Sequence, residues 1–158
     1  MVLRPFTLPS PSREQEAFTR LRPTTSHYQT VPIERGFNWE EALRDVPSGE
    51  WYLVVFRSLR RPDSDDVRLT EFDDHAYEEA FATGGLLCYF AGDLDENRHC
   101  LSFCVWKSRE AARVSAQLPK HEAAAALAPS TYVWYRLERY TVRKDPETSR
   151  IEFIPLPE

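Results

Sequence analysis

The pattern of hydrophobic and polar positions changes near residue 48. Residues 1–48 carry six of the twelve prolines and no sustained periodicity, which is typical of a mostly irregular arm. Two short helices are expected in it, one at 12–21 and one beginning at Asn38, where a glutamate three residues later completes a capping pattern. The sequence therefore predicts that residues 1–48 pack as an extended N-terminal arm on a domain formed by residues 49–158.

Three aromatic residues of the arm, Phe6, Phe37 and Trp39, are expected to dock on that domain. Leaving a large apolar side chain in water costs on the order of 1.5 to 3 kcal/mol. The arm is thus predicted to contribute to stability rather than to trail freely from the domain.

Beyond residue 48 the pattern alternates between strand-like and helix-like segments. Aromatic and β-branched residues fill 50–59, as in a central strand covered on both faces. The later segments predict helix 75–82, strand 86–91, strand 100–106, helix 109–118, helix 119–128, strand 131–144 and a short strand 151–154. With the two adjacent helices counted as one, the order is β-α-β-β-α-β. The predicted fold is α+β and ferredoxin-like, an antiparallel sheet with its helices on one face.

The strand predicted at 131–144 has apolar side chains on both of its faces. Simple alternation places Tyr132, Trp134 and Tyr140 on one face of the strand. It places Val133, Tyr135 and Leu137 on the other face. Helices cover only one face of such a sheet, so the other is left open in a single copy. We therefore expect a homodimer in which the sheet of a second copy covers the open face.

Composition argues against nucleic-acid and membrane partners. The 20 basic residues are scattered among 25 acidic ones, and the net charge is −5. No segment has the roughly 20 consecutive apolar residues that a membrane span needs. Residues 1–12 lack the apolar core of a secretory signal because prolines interrupt them. A cytoplasmic location is therefore expected.

The three cysteines lie in strand-like apolar runs and are expected to be reduced thiols. Cys100 and Cys104 share one face of a strand about 13 Å apart, which is too far for a disulfide. Cys88 lies in another strand, and no clustered zinc pattern occurs. No metal site is predicted.

Three segments together carry a family resemblance: Val105 to Ala111, Leu118 to His121, and Tyr135 to Tyr140. They resemble the dimeric α+β barrel superfamily, which includes antibiotic-biosynthesis monooxygenases, stress-responsive barrel polyketide cyclases and haem-degrading enzymes. The resemblance covers residues 50–144 and implies a ferredoxin-like homodimer that works without a cofactor. The whole chain also resembles a fungal family with no assigned activity.

His121 is the candidate catalytic residue. In the cyclases of that superfamily the histidine of a similar Pro-x-His acts as general base, although the tyrosine found six residues earlier there is Ser115 here. At the start of the helix at 119–128, the helix dipole should favour the neutral, proton-accepting imidazole. A histidine that merely bonds the helix start remains the alternative. Haem binding would also need His121, as the axial ligand.

Arg136 is the candidate for binding a substrate carboxylate or phenolate. It alternates with Trp134 and Tyr140 on one face of its strand, together with Glu138. The alternative is an Arg136–Glu138 ion pair at a dimer interface. The aromatic residues expected to line the binding pocket are Trp134, Tyr140, Trp106 and Tyr89.

Two functions follow from these residues. The first is a cofactor-independent small-molecule enzyme of oxygenase, cyclase or decarboxylase type, acting on an aromatic or polyketide-like substrate with His121 as general base. The second is a non-catalytic dimeric protein that binds a small apolar ligand or a protein partner. Dinucleotide, nucleotide, zinc-peptidase and serine-hydrolase motifs are absent.

Overall fold

The sheet is built around one central strand of twelve residues. The computed structural model describes residues 2–3 and 11–158. Its strands are β1 (Val2–Leu3), β2 (Gly49–Arg60), β3 (Leu86–Ala91), β4 (His99–Trp106), β5 (Tyr132–Lys144) and β6 (Ile151–Pro155). Its helices are α1 (Arg13–Phe18), α2 (Ile33–Gly36), α3 (Trp39–Ala42), α4 (Asp66–Ala82), α5 (Arg109–Ala116), α6 (Pro119–Ala125) and α7 (Ala128–Thr131).

The predicted ferredoxin-like fold is confirmed. All neighbouring strands are antiparallel, in the order β1-β3-β4-β2-β5-β6, so the four predicted strands form the middle of the sheet. The short last strand is present as β6, and β1 adds the opposite edge. Within the described residues, α4 and α5 pack on the same face of the sheet, as expected.

Helix α4 begins nine residues earlier than predicted. The side chain of Asp65 accepts a hydrogen bond from the backbone N–H of Arg68 at 3.0 Å and caps the helix there. The predicted start at residue 75 therefore lies inside the helix, where His75 is exposed. Asp65, Asp66, Asp73 and Asp74 are all capping residue types, so the sequence alone does not single out the one that caps the helix.

The two faces of the sheet have different covers. Alternate residues of the central strands point to each side, and the two sides form separate apolar clusters. We call the side that carries Leu53, Val55 and Phe103 the strap face, and the side that carries Tyr52, Cys104 and Trp106 the helix face. Helices α4 and α5 cover the helix face, with Ala80 the most deeply buried residue of α4.

Residues 12–46, here called the strap, cover the strap face. Phe37 and Trp39 are 3% and 2% exposed, and Phe6 lies outside the described residues. The ring of Phe37 lies 4.9 Å from those of both Phe90 and Phe103, in edge-on geometry. A second copy was expected to cover this face of the sheet. Over β2, β3 and β4 the strap of the same chain covers it instead, because the strap runs back across the sheet.

Two buried cations of the sheet bind the strap through its backbone. Arg57 of β2 donates to the carbonyl oxygens of Gln29 at 2.9 Å and Val31 at 2.8 Å. Lys144 of β5 donates to the carbonyl oxygen of Leu43 at 2.6 Å. Both cations are 5% exposed. Carbonyl groups of the strap that lie outside helices and strands thereby receive hydrogen-bond donors. The two buried cations in turn have hydrogen-bond acceptors.

The strap does not cover the beginning of β5. Val133, Trp134 and Tyr135 are 59%, 40% and 52% exposed, which leaves apolar surface at this edge. Two statements remain predictions. The first is that a second copy covers this edge of the sheet. The second is that the chain divides into an arm, residues 1–48, and a domain, residues 49–158.

We expect the strap to be essential for stability. Phe37→Ala removes a buried ring at the centre of the strap contact, so the free energy of unfolding should fall by about 3 to 5 kcal/mol in urea denaturation. Val67→Ala, at a side chain that is 81% exposed, is the control and should change it by less than about 0.5 kcal/mol. Equal effects of the two changes would contradict the docking of the strap.

Candidate functional site

An open cleft lies between α6–α7 and the first half of β5. Its volume is about 630 Å³. Its lining is aromatic on the strand side and small on the helix side: Arg61, Ala125, Ala126, Ala128, Pro129, Tyr132, Val133, Trp134 and Tyr135. An aromatic wall with a guanidinium at its rim suits a flat ligand that carries an anionic group.

Tyr132 and Tyr135 form the floor of the cleft and pack on Phe56 of β2. The Phe56 ring stacks on Tyr135 at 5.5 Å and meets Tyr132 edge-on at 5.3 Å. The two tyrosine rings are 5.9 Å apart. These rings lie on the helix face, so the floor continues the apolar surface beneath the helices.

A β-bulge decides which side Tyr132 faces. Simple alternation placed it with Trp134, but the register between β2 and β5 shifts at Leu59 and Arg60. Leu59 pairs with Trp134 while Arg60 pairs with Tyr132, so Val133 is an extra residue and Tyr132 turns to the side of Tyr135. The prediction that Tyr132 and Trp134 share a face is therefore wrong.

The helix side of the cleft consists of short helical turns rich in alanine. Pro119 begins α6, where its missing N–H costs nothing, and Pro129 stands within the first turn of α7. The hydroxyl of Thr131 donates to the Leu127 carbonyl oxygen at 2.7 Å and stabilises the single turn of α7 directly before β5 begins. No residue of α6 is buried, so this wall is thin and open to solvent.

Polar groups lie beneath and beside the floor. Burial raises the pKa of Tyr132 to about 12, while the nearby Arg60 lowers it in part. The hydroxyl of Ser58, which pairs across the sheet with Tyr135, and Nε of Arg60 are buried without a hydrogen-bond partner within the described part of the chain. Arg61 at the rim pairs with the exposed carboxylate of Asp63 at 3.1 Å.

His121 is exposed on α6. It precedes Ala125 by four residues, so the two share a helical face, and Ala125 lines the cleft. A carboxylate oxygen of Glu79 on α4 accepts hydrogen bonds from the backbone N–H groups of Lys120 at 2.9 Å and His121 at 3.4 Å. The negative charge of Glu79 at this helix start opposes the dipole effect on which the sequence analysis relied.

Trp134 and Arg136 lie on the other side of β5. The guanidinium of Arg136 stands 5.8 Å from the centre of the Trp134 ring, and its side chain is 65% exposed. Trp134 also lines the cleft, so this pair borders it at the edge of the sheet. Arg136 is 3.6 Å from the Glu138 carboxylate.

Tyr140 belongs to the strap contact rather than to the cleft. Its hydroxyl donates to the Glu138 carboxylate at 3.0 Å, and Nε of Arg57 donates to the same carboxylate at 2.7 Å. Burial, followed by the bond to Glu138, raises the pKa of Tyr140 to about 12. Glu138 is therefore paired mainly with the buried Arg57 of its own chain, and only loosely with Arg136.

Tyr89 and Trp106 lie on the helix face beside α4 and α5. The Tyr89 hydroxyl donates to the Asp73 carboxylate at 2.8 and 3.0 Å. The Trp106 indole N–H donates to Sγ of Cys104 at 2.9 Å, and burial raises the pKa of that thiol to about 12. The structure thus divides the predicted site residues among the helix side, the cleft edge, the strap contact and the centre of the helix face.

Sequence reasoning missed most of the cleft. Tyr135 was expected to pack against a second copy, and Arg61 was not identified as a site residue. The one readable signal is the run of alanines from Ala123 to Ala126 between two prolines, which leaves space beside a strand. The bulge that orients Tyr132 has no such signal, because it depends on the pairing of two strands.

The described part of the chain carries neither a candidate metal site nor a candidate membrane-spanning helix. No group of three or more His, Cys, Asp or Glu side chains there is arranged to hold a metal ion. Among its helices, none combines the length and the apolar character that spanning a bilayer requires. Its three cysteines are free thiols.

Comparison with known sequences identifies relatives over most of the chain. The family model described as PB2B2.08-like matches residues 7–155. UPF0643 protein PB2B2.08 of Schizosaccharomyces pombe is 31% identical over 103 residues, which are 61% of this chain and 47% of the relative. The chain spans about half the length of this curated relative.

Solved structures share the fold at low identity. Rv0793 from Mycobacterium tuberculosis has a TM-score of 0.50 and 18% identity, covering 56% of this chain and 91% of its own. A conserved protein from Methanosarcina mazei has a TM-score of 0.51 and 13% identity, and the match covers 57% of this chain and 90% of that protein. SnoaB, a cofactor-independent oxygenase from Streptomyces nogalater, has a TM-score of 0.49 and 12% identity, and the match covers 63% of this chain and 98% of SnoaB. At this distance the likenesses to Rv0793 and to the Methanosarcina mazei protein establish the ferredoxin-like fold alone.

The pKa of Tyr132 makes a prediction about alkaline stability. A phenol whose folded pKa is about 12, against an ordinary 10.0, favours the folded state while it is neutral. Its contribution is complete below about pH 10 and is lost as the pH rises towards 12. The free energy of unfolding, measured by urea titration from pH 9 to 12, should therefore fall less steeply in Tyr132→Phe than in the original chain.

Tyr140→Phe is the matched comparison, because burial raises the pKa of Tyr140 equally. The double variant should show the shallowest decline. Identical slopes in all four proteins would contradict burial of these hydroxyls.

Proposed function

The chain belongs to the PB2B2.08-like family, and we propose that it is a cofactor-independent enzyme that binds an aromatic or polyketide-like substrate in the cleft beside β5. The observation that carries this proposal is the aromatic floor of Tyr132 and Tyr135, which packs on Phe56 and faces a wall of alanines across the open cleft. Flat apolar molecules gain most from such a floor, because both stacking and burial favour them.

Charges at the rim favour a substrate with an anionic group. Arg61 lines the cleft, and Arg136 lies over the ring of Trp134 at its edge. The side chains of Arg61 and Arg136 are 44% and 65% exposed. Asp63, the partner of Arg61, is exposed, and Glu138, which lies near Arg136, is bound mainly by Arg57. A substrate carboxylate or phenolate can therefore replace these weak pairs at little cost.

We assign proton transfer to His121. The imidazole is exposed on the helical face that it shares with Ala125 but lies outside the lining of the cleft, so the proposal requires a substrate that projects beyond the alanines to meet it. In the proposed step the imidazole removes a proton from an acidic C–H or O–H of the substrate, and the negative charge left on the substrate faces the arginines at the rim. The substrate anion then reacts with dioxygen as oxidant, attacks a carbonyl group of the same molecule, or loses carbon dioxide, and the imidazolium returns its proton to the product or to water.

A homodimer is part of this proposal. Three consecutive apolar residues at the beginning of β5, Val133, Trp134 and Tyr135, are about half exposed beside the cleft. Packing a second copy on this edge would bury them and narrow the opening of the cleft, which would exclude water from the bound molecule.

Ligand binding tests the cleft. We use 3-hydroxy-2-naphthoate, which combines a flat ring system with a phenol and a carboxylate, and follow its fluorescence. Arg61→Gln removes a charge-assisted contact and should raise the Kd about tenfold or more. Arg150→Gln, at an exposed arginine in the turn between β5 and β6, is the matched control and should leave the Kd unchanged. Tyr135→Ala should also weaken binding; equal affinity in all variants would reject this cleft.

Proton transfer is tested separately with 2-tetralone, an aromatic ketone that has an acidic methylene group. Exchange of its methylene protons with deuterated water, followed by NMR, reports deprotonation directly. His121→Gln should slow exchange by about 10²-fold or more, the usual contribution of a general base. His75→Gln, at an exposed histidine of α4, is the control and should have no effect.

Binding of the naphthoate without any catalysed exchange in the original chain would favour the second function, a binding protein without catalysis. Exchange that survives His121→Gln would place the base elsewhere.

A further inference from the structure

We propose that the strap takes the place of a second copy on the strap face, so that the chain does not self-associate through this face of its sheet. The inference is independent of the proposed function. It concerns the face opposite α4 and α5, where the core rings of the strap meet those of the sheet.

The strap fills this face as a partner sheet would. Its apolar residues and those of the sheet form a single buried cluster. The strap supplies Ala17, Phe18, Leu21, Tyr28, Ile33, Phe37, Trp39, Ala42, Leu43 and Val46. Phe18 contacts Trp51 of β2 at 5.3 Å, and Trp39 contacts Phe153 of β6 at 5.2 Å, so the strap reaches from the centre of the sheet to one edge.

The cations on this face need acceptors that a flat sheet does not present. Arg57 and Lys144 donate to carbonyl oxygens of Gln29, Val31 and Leu43, which lie in the strap. In a β-sheet the carbonyl groups lie in the plane of the sheet and bond neighbouring strands. A second sheet packed face to face would offer side chains only, and the guanidinium and ammonium groups would lose these partners.

Symmetry adds a second obstacle. In a two-fold interface each patch meets its own copy. Along β2 and β5 the strap face carries three cations, Arg57, Arg136 and Lys144, and one carboxylate, Glu138. Pairing this face with itself would bring like charges together in a desolvated interface, whereas the strap meets the two buried cations with neutral carbonyl dipoles.

The arginine pair Arg57 and Arg136 provides the test. The two residues are directly opposite each other in the register of β2 and β5, yet Arg57 is buried under the strap and Arg136 is exposed. Arg57→Ala should loosen the strap, speed hydrogen exchange of the amides in residues 24–38 by at least about tenfold, and produce self-association in sedimentation velocity. Arg136→Ala should do neither.

Hydrogen exchange of the original chain tests the proposal independently, because it does not require a destabilised variant to fold. An intramolecular strap predicts that exchange protection of residues 24–38 is the same at low and high micromolar concentration. Protection that rises with concentration would show that another copy covers the face, and would overturn the proposal. An Arg57→Ala variant that folds and loosens the strap but stays unassociated would also overturn it.

If Arg57→Ala does not fold, Lys144→Met replaces it, because this change removes the donor to Leu43 and retains most of the side-chain volume. Hydrogen exchange is then followed at residues 39–46, which include Leu43, and the same two outcomes apply. A dimer of the original chain with concentration-independent strap protection supports the proposal, since such a dimer must use another surface, as at the beginning of β5.

Discussion

The buried guanidinium of Arg57 is the interaction on which the rest of the structure depends. It lies near the middle of the sheet and joins its own strand β2 to the Glu138 carboxylate of β5 and to the carbonyl oxygens of Gln29 and Val31 in the strap. An arginine suits this position because its planar fork of donors serves several acceptors while it stays charged. Removing any one acceptor would leave a buried donor unsatisfied, so the strap and β5 are held in a common arrangement.

This arrangement separates the aromatic residues of the chain into two functional groups. On the strap face, rings such as Phe37 and Phe103 are buried and contribute only packing. On the helix face near the start of β5, Tyr132 and Tyr135 remain within reach of solvent because only the short turns of α6 and α7 stand opposite them. An aromatic-rich composition therefore does not mark a binding site by itself; the cover that each face receives decides which rings are available to a ligand.

Local patterns predicted the strands well, because runs such as 50–59 and 86–91 contain the β-branched and aromatic residues that a half-buried pleated surface favours. The cover of each face was harder to predict. Arg57 appeared as one charge in an apolar strand, and nothing in its own segment indicates that Gln29 and Val31 supply its acceptors. The site was partly hidden for the same reason: the bulge at Leu59 that turns Tyr132 arises from pairing between two distant segments.

Strand β5 connects the strap to the cleft. Its second half is fixed under the strap by Glu138 and Lys144, and its first half supplies the floor of the cleft. The ladder with β2 runs without interruption from Lys144 to Trp134, so the strand behaves as one stiff element. Because Tyr135 is only three residues from Glu138, the position of its ring depends on an anchor that lies on the opposite face. The strap therefore supports the cleft through the sheet, although it contributes no residue to the lining of the cleft.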